Sequence, residues 1–184
     1  MKRLITLCAL VLACGCTEEV LYDKETQLDQ DGESIREFLA QEEIDAMFHA
    51  TGFYYQVIEE GEGTRAELND IAVFHLSVYG LDGTFYFSTI ADVERQNGIA
   101  IPIEFPMEFY LYDSQYNREM EALYDMALVV EEGAIWELYV PSYLAYGYRG
   151  LRTRFSNQRG IREISVPSNT PLRIEARLIE VKVR

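Results

Sequence analysis

Three phenols fall close together in Ser142-Tyr-Leu-Ala-Tyr-Gly-Tyr148, directly after a run that ends at Pro141. Trp136, Leu138 and Val140 alternate with Glu137 and Tyr139, the period-two pattern of a half-buried strand, and Pro141 stops it because proline cannot donate to a ladder. Tyr143, Tyr146 and Tyr148 then crowd around Ala145 and Gly147. Such a bend presents rings and hydroxyls together on an apolar surface, which suits a small, dry recognition site better than a charged one. Trp136 reads as core, and Tyr143 and Tyr148 as packing in the corner. Tyr146, followed by Gly147 at the end of a strand, has both the position and the hydroxyl for ligand contact.

Other chemistry is poorly represented. His49 and His75 are the only histidines, and His75 lies inside a strand pattern, where a satisfied core histidine is expected. There is no His-Glu-x-x-His helix, Gly-x-Ser-x-Gly elbow or Gly-rich phosphate loop, which removes the commonest hydrolase and nucleotide-binding classes. Paired carboxylates such as Glu59-Glu60 and Glu131-Glu132 sit in turns and helix ends, where solvation explains them. What remains is an aromatic pocket without strong acids, bases or ions. Rotation about an X-Pro amide suits such a pocket, because its twisted transition state is less polar than the planar amide. Lowering that barrier by about 4 kcal/mol would already give roughly a thousandfold acceleration.

The elements that must position this bend can be read along the chain. Gly52 to Ile58 reads as a first strand and Ile71 to Tyr79 as a second, with Gly80-Leu-Asp-Gly83 as a hairpin turn and Phe85 to Thr89 as the returning strand. A long loop follows, and Pro102 and Pro106 confine Ile101 to Tyr112 to an edge or broken strand. Met120, Leu123, Ala127 and Val130 keep helical spacing up to Gly133, and Leu172 to Val183 alternates as a final strand. The expected fold class is α+β, an antiparallel sheet of about five strands around one helix.

A formal charge of −15 argues against nucleic acid as a partner, since phosphate recognition needs clustered Lys and Arg. Lys2 and Arg3 precede an uncharged run, Leu4 to Ala13, too short to span a bilayer, so residues 1–15 read as an export signal. All three cysteines lie there, which disfavours disulfides and a cysteine metal site. Leu12-Ala-Cys-Gly-Cys16 is similar to a bacterial lipobox, with Cys16 favoured for lipidation, Cys14 the alternative, and an ordinary secretory peptide the competing explanation. Residues 16–32 read as an acidic tether, and residues 33–50 as a linker with a short amphipathic helix over Glu33 to Glu43, marked by Ile35, Phe38 and Leu39.

Residues 51–184 resemble the FKBP-type peptidyl-prolyl isomerases. The resemblance rests on Gly52-Phe-Tyr-Tyr-Gln-Val-Ile-Glu-Glu-Gly-Glu-Gly63, Val73-Phe-His-Leu-Ser-Val-Tyr-Gly-Leu-Asp-Gly83, the ungapped Gly133 to Gly147, and Val166-Pro-Ser-Asn-Thr-Pro-Leu-Arg-Ile174. It implies a curved antiparallel sheet wrapped over one helix, proline-containing polypeptide segments as substrates, and no cofactor or metal. Tyr146 falls on the tyrosine whose hydroxyl bonds a ligand carbonyl, Val166 on a flap aliphatic, Tyr86 on a wall aromatic and Met120 on the aliphatic that begins the helix. Four positions depart from the family. Leu76 replaces a tyrosine, Phe87 an aspartate, Leu123 the floor tryptophan and Ile174 a phenylalanine, which keeps the pocket apolar but removes a hydroxyl and a carboxylate. The resemblance extends to lipid-anchored members of Gram-negative bacteria, implying a cell-envelope location on the outer membrane, at its periplasmic or surface face. The alternative function is a degenerate binding module or holdase. A longer flap carries Arg149, Arg152, Arg154, Arg159 and Arg162, suited to acidic client segments or phospholipid headgroups, or simply solvated.

The lipobox makes a direct prediction: a fatty-acid analogue fed to expressing bacteria labels the chain, and Cys16→Ala abolishes the label. Persistent labelling of that variant assigns Cys14.

Overall fold

Ten consecutive residues of one strand, Ile71–Gly80 (β3), pair along their length with the last strand, Leu172–Lys182 (β9). This ladder is the middle of a curved antiparallel sheet in a computed structural model that describes residues 23–112, 120–157 and 160–184. On the far side of β9 lie Ile135–Val140 (β6), Tyr54–Glu59 (β2) and the two-residue edge strand Met47–Phe48 (β1). The other edge of β3 is shared end to end: Met107–Tyr110 (β5) pairs with its first half and Phe85–Ser88 (β4) with its second. The leader, Cys14 and Cys16, residues 17–22 and Arg159 lie outside the described residues.

Register fills the inner face in rows. Across β6, β9 and β3, Trp136, Ala176 and Leu76 align, as do Leu138, Ile174 and Val78. Alanine between Trp136 and Leu76 leaves room for the indole, whose ring meets Phe74 edge-on at 5.7 Å. The helix Glu121–Ala127 (α3) covers this face through Leu123, Met126 and Ala127, all fully buried. It is shorter than the Met120 to Val130 spacing suggests, because Met120 adopts a left-handed φ of 61° and the last turn unwinds before Gly133.

The outer face is covered too. The helix Lys24–Gln41 (α1) begins well before Glu33, inside the stretch read as a tether. Asp23 caps it, accepting from the Glu25 N–H at 3.1 Å and the Thr26 hydroxyl at 2.6 Å. Its inward stripe runs Asp31, Ile35, Leu39, at steps of four. Hydrophobic periodicity misses the first turns because that stripe starts on a carboxylate. Ile35 and Leu39 pack with Tyr139, Tyr54 and Leu81, and each buried aliphatic contributes roughly 2 kcal/mol.

Two further elements differ from the expected five strands and one helix. Ala91–Gln96 (α2) lies in the segment read as loop, and Leu151–Asn157 (β7) pairs with Gly160–Val166 (β8) as a separate hairpin where a basic loop is expected. Alternation within that hairpin is hidden in the sequence, because Thr153 and Arg162 occupy inward positions that usually read as outward.

Tyr139 donates to Glu137 Oε2 at 2.6 Å. Burial first, then this bond, pushes its phenol above the ordinary value near 10, and burial with the charge of Asp82 does the same for Tyr86. A folded-state pKa raised above the unfolded one gives stability that is complete below the unfolded pKa and is lost as pH rises through the folded value. Urea midpoints should therefore hold between about pH 7 and 9 and fall above about pH 10. A midpoint unchanged at strongly alkaline pH would contradict this.

Candidate functional site

The expected site residues come from six separate places: Leu76 on β3, Tyr86 and Phe87 on β4, Met120 and Leu123 at α3, Tyr146 after β6, Val166 at the end of β8 and Ile174 on β9. All eight belong to one apolar cluster. Leu76, Leu123 and Ile174 form its sealed part, with no more than 1% of their surface exposed, and Phe87, Met120 and Val166 are also buried. Tyr86 and Tyr146 alone among the eight are half-exposed. The cluster is therefore a sealed apolar core with two half-exposed phenols at its margin.

Each rim residue is placed by an irregularity. The β3–β4 register slips between Val78 and Tyr79, so Phe87 faces Val78, Phe85 faces Tyr79, and Tyr86 is the extra residue of a bulge. Tyr146 lies between two single-turn helices, Ser142–Leu144 and Gly147–Arg149. The carbonyl of Gly147 accepts from the Asn169 N–H at 3.0 Å, tying the bend to the loop before β9. Gly150, at φ 63°, starts the hairpin; a Cβ there would lie 2.4 Å from the Val166 carbonyl oxygen, so only glycine lets the hairpin close. Tyr143 and Tyr148 are exposed, whereas Trp136 is fully buried core. His75 is half-buried with Nδ1 3.1 Å from the Thr89 hydroxyl, as a satisfied strand histidine should be.

The flap's charges are divided by the hairpin pleat. Arg152 and Arg154 point outward with Glu163 and Ser165, and Arg154 is paired with Glu163 at 2.8 Å. A cleft of about 580 Å³ runs here between Arg152, Thr153, Arg154, Glu163, Ile164 and Ser165, and none of the eight site residues lines it. Arg162 points inward instead. Its Nη2 donates to the Tyr86 carbonyl at 3.0 Å and lies 3.6 Å from Glu94 Oε1. Glu94, on α2, is fully buried and also accepts from the N–H groups of Ser88 at 3.3 Å and Ile103 at 3.0 Å. The rings of Phe105 and Phe155 pack in a tilted arrangement with centroids 4.9 Å apart. The two long loops of the sequence are thus joined to each other at the groove wall, through a carboxylate and a guanidinium that nothing in their hydrophobic pattern singles out.

Removing one partner of a buried ion pair strands the other. Arg162→Ala should therefore cost about 3 kcal/mol in urea unfolding, while Arg154→Ala, breaking an exposed pair, should cost less than about 1 kcal/mol. Equal costs would show that the wall does not depend on Arg162.

No family model matches the chain. It is 34% identical over 101 residues to the peptidyl-prolyl cis-trans isomerase Mip of Coxiella burnetii, a match covering 55% of this chain and 37% of that one. It is 28% identical over 131 residues to the FKBP-type 22 kDa peptidyl-prolyl cis-trans isomerase of Escherichia coli K12, covering 71% and 50%. The chain thus spans half or less of the length of these curated relatives. Among solved structures, FkpA from Escherichia coli is similar with a TM-score of 0.56 at 21% identity, covering 86% of this chain and 62% of that one. A peptidyl-prolyl cis-trans isomerase from Pseudomonas syringae pv. tomato gives a TM-score of 0.56 at 21% identity over 89% and 98% of the two chains. The fold is therefore FKBP-like.

Proposed function

We propose that the chain is a peptidyl-prolyl cis-trans isomerase acting on X-Pro bonds of exported or envelope proteins. The observation that carries this reading is the contrast within the cluster: a floor of Leu76, Leu123 and Ile174 sealed from water, and Tyr86 and Tyr146 half-exposed at its edge. A proline ring packed against this apolar margin, beside Tyr86 and Tyr146, leaves water, which favours the less polar twisted amide over the planar ground state. Tyr146 donates its hydroxyl to a carbonyl of the substrate and fixes the segment without transferring a proton. Phe87 and Leu76 contribute only apolar surface, so binding rests on shape and on few hydrogen bonds. Val166 and Met120 close the sides.

The anchor belongs to the same reading. Acylation at Cys16, or at Cys14, holds the domain at the outer membrane.

Exchange NMR on a short X-Pro peptide with the full chain in detergent tests the activity. Isomerisation should exceed the buffer rate, and Tyr146→Phe should slow it about fivefold, the value of one neutral hydrogen bond of about 1 kcal/mol. A wild-type rate equal to buffer, with unfolded clients still bound, would instead establish a binding module. An unchanged rate in the variant would remove Tyr146 from the mechanism.

A further inference from the structure

Asp31 lies in the middle of α1 with 2% of its surface exposed, yet it forms no ion pair among the described residues. Its Oδ2 accepts from both the N–H of Ser142, at 2.7 Å, and the Ser142 hydroxyl, at 2.5 Å. Oδ1 accepts from Gln27 Nε2 at 2.7 Å. Ser142 opens the single turn Ser142–Leu144, whose first N–H has no acceptor within the turn. Asp31 supplies that acceptor from 111 residues away. The same turn is held by Leu144 N–H to Pro141 and Ala145 N–H to Ser142, and Tyr146 follows at once. Lys24, from the first turn of α1, lies 3.5 Å over the ring of Tyr143.

We propose that α1 is a working part of the groove and that Asp31 is a positioning residue, fixing the bend from Pro141 to Gly147 and so the direction of the Tyr146 hydroxyl. Ile35 and Leu39 already seal the helix to the sheet without polar help. A carboxylate added to that seal brings a desolvation cost that an aliphatic would not, and what it adds is direction, because a pair of hydrogen bonds fixes position where apolar contact allows sliding. The helix thereby joins the outer face of the sheet to the rim of a site on its inner side. This inference rests on the isomerase reading for its effect on rate, but not for its effect on structure.

The test compares Asp31→Asn, Ser142→Ala and Leu39→Ala in the full chain. Leu39→Ala loosens the same helix two turns away without touching the bend. Asp31→Asn should lower kcat/KM by about tenfold, as expected for a misplaced group near the reacting bond, and should shift the amide resonances of Ala145, Tyr146 and Gly147. Leu39→Ala, compared at equal distance below its own Tm, should change the rate less than about twofold and leave those resonances in place. Ser142→Ala and Asp31→Asn should be non-additive in one double-mutant cycle. Equal rate losses for Asp31→Asn and Leu39→Ala, additive losses in the cycle, or unmoved resonances would each overturn the proposal. If the wild type does not accelerate isomerisation, the isomerase reading fails separately, and the amide resonances alone decide the role of Asp31.

Discussion

The structure depends on the register of β9 between β6 and β3. With Ile174 opposite both Leu138 and Val78, and Ala176 opposite both Trp136 and Leu76, the large side chains of the neighbouring strands meet over small or branched ones in the middle. A slip of one residue would turn Leu172, Ile174, Ala176 and Leu178 outward and bring Arg173, Glu175 and Arg177 into the core. Burying those charges unpaired would cost several kcal/mol each, so no neighbouring register competes. The same ladder places Leu76 and Ile174 diagonally on the face that α3 covers, in one sealed apolar cluster with Leu123.

On this frame the site is assembled from departures from regularity. A bulge frees Tyr86, a left-handed residue opens α3 at Met120, and two single turns flank Tyr146. Regular elements supply the sealed floor and irregular ones supply the rim, which is the division expected where polar groups must reach a ligand while the floor stays dry. The irregular parts are then braced from outside: Arg162 and Glu94 on the wall, Asn169 at Gly147, and Asp31 at Ser142. Each brace is an ion pair or a hydrogen bond, not an apolar contact.

The strands β2, β3, β4, β6 and β9 and their order of appearance are legible in the sequence because alternation and turn chemistry act locally. Trp136 to Pro141 and Leu172 to Val183 show this, as does the confinement of β5 to an edge by Pro102 and Pro106. The braces were not legible. Asp31, Glu94 and Arg162 are charged residues in charged surroundings, and their burial is decided by partners up to 111 residues away, so pattern reading assigns them to solvent. For the same reason the sequence does not show the start of α1 or any of α2, and the hairpin of β7 and β8 reads as an irregular flap.

On the proposed reading a proline ring packs against the apolar cluster of Leu76, Leu123 and Ile174 beside Tyr146. Intermolecular NOEs between a short X-Pro peptide and methyl-labelled chain test it most directly. The account predicts NOEs from the proline ring protons to the methyl groups of Leu123, Val166 and Ile174. Contacts confined to the outward face of the hairpin, at Ile161, or to the edge at Met47, with none to those methyl groups, would contradict it.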